Sequence, residues 1–206
     1  MTAKFKSLVI SRLMGSGGSY IGYLAAKELG FRYLDREILR EASTRMGVDT
    51  AILQHSEERS AGVLENLLRS FSFGAAESAF APPMGKAVYE RDLYRVESRI
   101  MNGVVDKFSA VIVGRGAFHV LRDRPEVLRV FVHAPLEFRI RRVMEVRKTA
   151  DYESARAQVI ESDRRRTKFV RDIIGVNWTD ARNFHFCVDS SVLDFRSILG
   201  VIRNFF

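Results

Sequence analysis

One cysteine, Cys187, is all that the 206 residues contain, so an intrachain disulfide is excluded and a reducing compartment is the expected setting. Four histidines beside that cysteine leave little for a zinc centre of the usual kind. With 4 Pro and 14 Gly, collagen-like and low-complexity classes are excluded as well. No apolar run reaches the roughly 20 residues that cross a bilayer. The short stretch Ser7-Leu8-Val9-Ile10, behind Lys4 and Lys6, falls below the roughly 7 to 15 apolar residues of a signal peptide. A cytoplasmic protein without a membrane segment is expected.

What the chain does have is basic charge and an adequate core. Hydrophobic residues make up 47% of the sequence, and 33 Lys plus Arg against 25 Asp plus Glu give a net charge of +8. Arg139 to Arg171 holds 11 basic residues against 5 acidic ones, so +6 of the +8 lies there. Such a concentration points to an anionic ligand, phosphate or nucleic acid; a solvated helix face is the plainer explanation.

Short apolar runs alternate with longer helical patterns, which predicts an α/β fold with a parallel sheet of about five strands flanked by helices. Strands are expected at Ser7 to Ser11, Phe31 to Leu34, Ala110 to Gly114, Val127 to His133 and Phe184 to Asp189. Helices are expected from Ser19 to Leu29, from Asp35 to a stop at Gly47, from Leu136 to Lys148 and from Tyr152 to Ile174. Residues 49–108 read as a helical insertion within one domain spanning 1–206, and 136–174 as an Arg-rich region. The stretch Phe71 to Gly85 suits a mobile loop over a ligand or an ordinary surface crossover.

The most informative segment runs from Leu8 to Gly22: a buried strand, the turn Gly15-Ser16-Gly17-Gly18, and a helix opening at Ser19. Glycines let backbone N–H groups converge on an anion where the helix dipole already favours phosphate. The strict pattern G-x-x-x-x-G-K-[ST] is absent, because Gly18 stands at the lysine position and Arg12 at that of the first glycine. Arg12, or an arginine from elsewhere, would have to supply the missing charge.

Other candidates lie at the same sheet edge. Asp35 and Arg36 follow the second strand, where Asp35 can cap a helix, touch a ligand, or do both. Arg115 stands between Gly114 and Gly116 directly after the third strand, a placement that suits two phosphate oxygens better than any structural task. His119 has the spacing of a packed or exposed residue. Arg139 and Arg142 share a helix face. Asp163 and Arg166 interrupt the stripe Ala155, Val159, Val170, so they pair or reach into a cleft, while Arg164, Arg165 and Lys168 lie off it.

These segments, with Val130 to Pro135 and Val188 to Ser191, resemble the cytidylate kinase-like family, relatives of the P-loop nucleoside monophosphate kinases, over nearly the whole chain. The resemblance implies a P-loop NTPase-like fold with an Arg-rich lid, and Mg²⁺-dependent transfer of the ATP γ-phosphoryl group to CMP or a similar nucleoside monophosphate. It implies further that Gly15, Ser16, Gly17, Gly18 and Ser19 cradle the ATP phosphates, with Ser19 on Mg²⁺. Arg115 would hold the acceptor phosphate, bordered by Asp35 and Arg36. Arg12 would supply the missing charge, and Arg139, Arg142, Arg164 and Arg166 would close on the transferring group. Two positions depart from the cytidylate kinase pattern: Gly18 replaces the lysine, and Gly116 replaces an aspartate. A nucleotide-binding or sensing protein without catalysis is the alternative that Gly18 favours. A nucleic-acid-binding role is the weakest reading, since the basic residues are interleaved with acidic ones and no base-stacking sheet motif is present. Nothing in the sequence specifies an oligomeric state.

Overall fold

The computed structural model describes residues 5–40 and 87–206. Five strands form one parallel sheet: β1 (Ser7–Arg12), β2 (Arg32–Leu34), β3 (Ala110–Val113), β4 (Val127–His133) and β5 (Phe186–Asp189). Their spatial order is β2-β3-β1-β4-β5. The interior strands carry nearly continuous apolar runs because helices cover both faces. Ile10 of β1 lies opposite Val113 of β3 and Val130 of β4, so β3 ends at this level while β1 runs two residues further, to Arg12 opposite Val132, at the same carboxyl edge. Open α/β sheets bind ligands at that edge.

Alternation along β1 divides the core. Leu8 and Ile10 face α1 (Gly18–Leu29) and the C-terminal helix, packing with Ile21, Ala25, Ile198 and Ile202. Val9 faces the opposite layer, with Ile100, Met101 and Val104 of α2 (Ala87–Lys107) and Phe118 of the short α3 (Ala117–Val120). A third cluster joins Ile140 and Val143 of α4 (Leu136–Arg147) to Ala155 and Val159 of α5 (Tyr152–Phe169). The last helix, α6 (Phe195–Arg203), opens on Asp194, whose side chain accepts the Ser197 N–H at 2.7 Å. No helix among the described residues is long and apolar enough to cross a membrane.

The expected strands form, with ends moved by one or two residues. β5 starts at Phe186, not Phe184, because a 3₁₀ turn at Ala181–Asn183 precedes it and Phe184 stacks into the core against Phe131. The α-helical winding expected to reach Ile174 ends at Phe169, and a single π-helical turn, Val170–Ile174, follows and stops at Gly175. Asp35 caps a helix that begins at 36, its Oδ1 accepting N–H groups from Glu37 and Ile38. The end of that helix at Gly47, most of the 49–108 insertion and the Phe71 to Gly85 stretch lie outside the described residues; 87–107 of the insertion is α2. The helix α6 and the short α3 have no counterpart in the sequence-based reading. Asp194 followed by Ile198, Leu199 and Ile202 is the cap-and-stripe signal that marks α6.

The turn after β1 docks on α4. Gly15 has φ +79°, and a Cβ there would lie 2.5 Å from the Arg139 carbonyl oxygen, a backbone atom fixed within a helix. Gly30, with φ +68°, has nothing within 4 Å of its absent Cβ. Gly30→Ala should therefore cost about 1 kcal/mol, the price of left-handed backbone alone. Gly15→Ala should cost roughly 3 kcal/mol, because overpacking adds to it; equal shifts in urea denaturation midpoint would contradict this.

Candidate functional site

The site grows from the carboxyl ends of β1, β3 and β4. β1 delivers Arg12 and the turn, and α1 starts at Gly18 behind the left-handed Gly17, so the first N–H groups of α1 are free of intrahelical partners. Ser16 is fully buried, and its hydroxyl donates toward the Leu13 and Val132 carbonyls at 2.9 and 3.1 Å. The side chain of Ser16 thus fastens the turn to β4, and only backbone remains for a phosphate.

Arg12 explains the glycine at the lysine position. A Cβ on Gly18 would lie 2.5 Å from Arg12 Cβ and 3.1 Å from Val132 Cβ, so the Arg12 side chain occupies the room that a residue at 18 would need. From there Arg12 Nε donates to Ser19 Oγ at 3.1 Å, and its guanidinium lies against Gly114 at the end of β3. Ser19, the expected metal contact, is therefore already bonded to a cation. Among the described residues no three His, Cys, Asp or Glu side chains gather. Among the described residues, the protein thus offers a Mg²⁺ ion only a lone hydroxyl shared with a guanidinium, a poor ligand for a hard dication.

Arg115 follows β3 in a run of three left-handed residues, Gly114, Arg115 and Gly116, with φ of 82°, 49° and 69°. A non-glycine residue held there stores strain of the kind that collects at binding sites. Its guanidinium donates from Nε to Glu97 Oε2 at 2.7 Å and lies 4.7 Å over the Phe169 ring. Arg36 has an open outer surface, yet surrounding protein lowers its pKa. The charges of Arg115, Arg40 and Arg12 add to this effect, and Glu97 opposes it. The guanidiniums of Arg12, Arg36 and Arg115 thus share one electrostatic neighbourhood, and like charges gathered this closely favour an anion between them. Asp35 stands at its border as a helix cap. Gly116 is covered: a Cβ there would meet Ile174 Cδ1 at clashing range and Tyr94 Oη at 3.2 Å, which leaves no room for an aspartate. Burial there pushes the Tyr94 phenol up to about 12.

The arginines of the basic segment divide into three kinds. Arg139 is only 7% exposed, and it donates to the Ala134 and Met14 carbonyls at 3.0 Å and to Asp163 Oδ2 at 2.5 Å. Asp163 also accepts the Met14 N–H at 2.9 Å and Arg166 Nη1 at 3.2 Å, while Arg166 reaches the Arg12 carbonyl at 3.3 Å. Through these bonds Arg139 and Arg166, expected to close on phosphate, brace the glycine turn against α4 and α5. Arg142 stacks 4.2 Å over Phe195, with its Cζ 3.1 Å from the Cβ position of Gly17, so it does stand beside the turn. Arg164 points outward, 70% exposed, and shares Glu161 with Arg165; those two arginines hold the Glu161 carboxyl down at about 2. His119 lies at the surface beside Arg122.

Sequence reading missed Glu97 and Phe195. Glu97 had a usable signal, since it shares a helical stripe with Ile100, Met101 and Val104, where a carboxylate is out of place. Phe195 had none, because its partners Arg142 and Tyr20 are far away in sequence. Removing the carboxylate in Asp163→Ala should destabilise the protein by about 3 kcal/mol, because it leaves Arg139 nearly buried without its counter-charge. Arg164→Ala should leave the thermal midpoint in place, and equal loss in the two variants would refute the division.

A sequence model of the cytidylate kinase-like family matches residues 8–192. Cytidylate kinases of Methanosarcina mazei and Methanosarcina acetivorans are 24% and 25% identical over 93 residues, 45% of this chain and 52% of each relative. The chain thus spans about half the length of the curated relatives it matches. A crystal structure of an uncharacterized protein from Eubacterium ventriosum aligns with a TM-score of 0.68 at 19% identity, covering 96% of both chains. The parallel sheet, the glycine turn opening α1 and the arginine after β3 make this a P-loop NTPase-like fold. The match over 8–192 establishes that the chain belongs to the cytidylate kinase-like family.

Proposed function

We propose that this protein is a nucleotide kinase that takes ATP, as its Mg²⁺ complex in solution, and transfers the γ-phosphoryl group to CMP or a similar nucleoside monophosphate. The observation that carries the reading is the shared position of the glycine turn and the guanidiniums of Arg12, Arg36 and Arg115 at one sheet edge. Backbone N–H groups of Gly15 to Ser19 and the N-terminus of α1 bind the donor phosphates. Arg12, rooted beside Gly18, supplies the charge that a lysine would otherwise bring. Arg115 and Arg36 hold the acceptor phosphate. One of its oxygens attacks the γ-phosphorus, the bond to the β–γ bridging oxygen breaks, and ADP leaves with the electron pair. Such a transfer needs positioning and charge stabilisation rather than a covalent nucleophile. Arg142 beside Gly17 faces the donor side, and Arg139 and Arg166 act by bracing the turn. Membership of the family supports ATP as donor. A cytoplasmic location fits this reading, with nucleotides rather than nucleic acid as partners.

A second reading, nucleotide binding without transfer, draws on the hydrogen bond between Arg12 and Ser19, which commits both groups before any ligand arrives. A panel of nucleoside monophosphates incubated with MgATP and read by ADP release separates the two. Acceptor-dependent turnover is expected, falling about 10²-fold in Arg115→Ala. Saturable ATP binding with no turnover on any acceptor would establish the second reading instead.

A further inference from the structure

Glu97 lies within α2 with its side chain 0% exposed. Burying a carboxylate is costly unless it is paired, and its pairing here is one-sided. Arg115 Nε donates to Oε2 at 2.7 Å, and Nη2 lies 2.5 Å from the same oxygen. Oε1 is buried with no hydrogen-bond partner among the described residues. Arg–carboxylate pairs frequently use both oxygens in two parallel bonds. This one grips the Nε–Nη2 edge of Arg115 instead, while Phe169 covers the guanidinium at 4.7 Å. Nη1 has no partner among the described residues.

We infer that Glu97 is the positioning residue for anion binding at Arg115: it fixes one edge of the guanidinium and leaves the Nη1 end for the oxygens of the acceptor phosphate. The inference rests on the reading of Arg115 as the acceptor-phosphate ligand. It adds a residue from α2 that touches no reacting atom and acts only through the arginine. Two further observations support it. The backbone of Arg115 is held left-handed, so the side chain leaves the strand end in one direction. Burial also raises the Glu97 pKa against the opposing influence of Arg115, Arg36 and Arg40, the expected state of a carboxyl that is enclosed and underpaired.

Charge and positioning predict opposite signs. If Glu97 acted only by its negative charge, neutralising it would strengthen anion binding; if it acts by fixing Arg115, neutralising it weakens binding. Inorganic phosphate titrated by calorimetry into the intact wild type, Arg115→Ala, Glu97→Gln and Glu97→Leu decides between them. The wild type should bind phosphate, and Arg115→Ala should lose that binding. Glu97→Gln should bind about tenfold more weakly, and Glu97→Leu more weakly still. In the kinase assay, Glu97→Gln should raise the acceptor KM by a similar factor and leave the ATP KM unchanged. Phosphate binding in Glu97→Gln as tight as wild type or tighter overturns the inference, as does an equal loss for ATP and acceptor, which a loosened fold would produce. If Glu97→Leu fails to fold, Glu97→Gln alone decides. Phosphate binding that Arg115→Ala leaves intact, or no binding at all, overturns the acceptor-site reading itself.

Discussion

The carboxyl edge of the sheet is arranged around one side chain, that of Arg12. Its carbonyl accepts from Arg166, its Cβ takes the room over Gly18, its Nε rests on Ser19, and its guanidinium lies against Gly114. Because β1 is central, with β3 and β4 as neighbours, a single residue at its end can touch the turn, the next strand end and the helix α5. Gly18 follows from this as a consequence of steric exclusion, whereas Gly114 answers to its left-handed backbone, φ +82°. The absence of the usual lysine is thus a packing fact: two long cationic side chains cannot leave the same turn within 2.5 Å of each other at their roots.

Around that centre the structure commits part of its basic charge to bracing. Asp163, shared by Arg139, Arg166 and the Met14 N–H, converts part of the basic segment into a scaffold for the turn. An internal carboxylate between two arginines lowers the net field of α4 and α5 just where the sequence concentrates it. On the β3 side the guanidiniums of Arg36 and Arg115 have Glu97 as a counter-charge.

How much was legible follows from range. Strands, the glycine turn and Arg115 could be read because each depends on neighbours within a few residues, such as a buried run followed by glycines. The stripe position of Asp163 and Arg166 correctly pointed to pairing, since helical period is local too. The duties of Ser16, Ser19 and Arg139 were not legible. Their partners, Val132, Arg12 and Met14, come from another element or the far side of the turn, and in each case the fold uses the polar atom that a ligand was expected to use. The change from α to π winding after Phe169 has no local signal, and its last residue, Ile174, packs over Gly116.

That π-helical turn links two parts of the molecule in register. Ile174, at its end, reaches Gly116 and sits over the loop that carries Arg115, while Phe169, at its start, covers the Arg115 guanidinium itself. A π turn closes its hydrogen bonds over one more residue than an α turn, so the winding sets where Ile174 falls relative to the Phe169 roof. A one-residue insertion or deletion between Arg166 and Phe169 would rotate that roof and exchange the residues above Arg115.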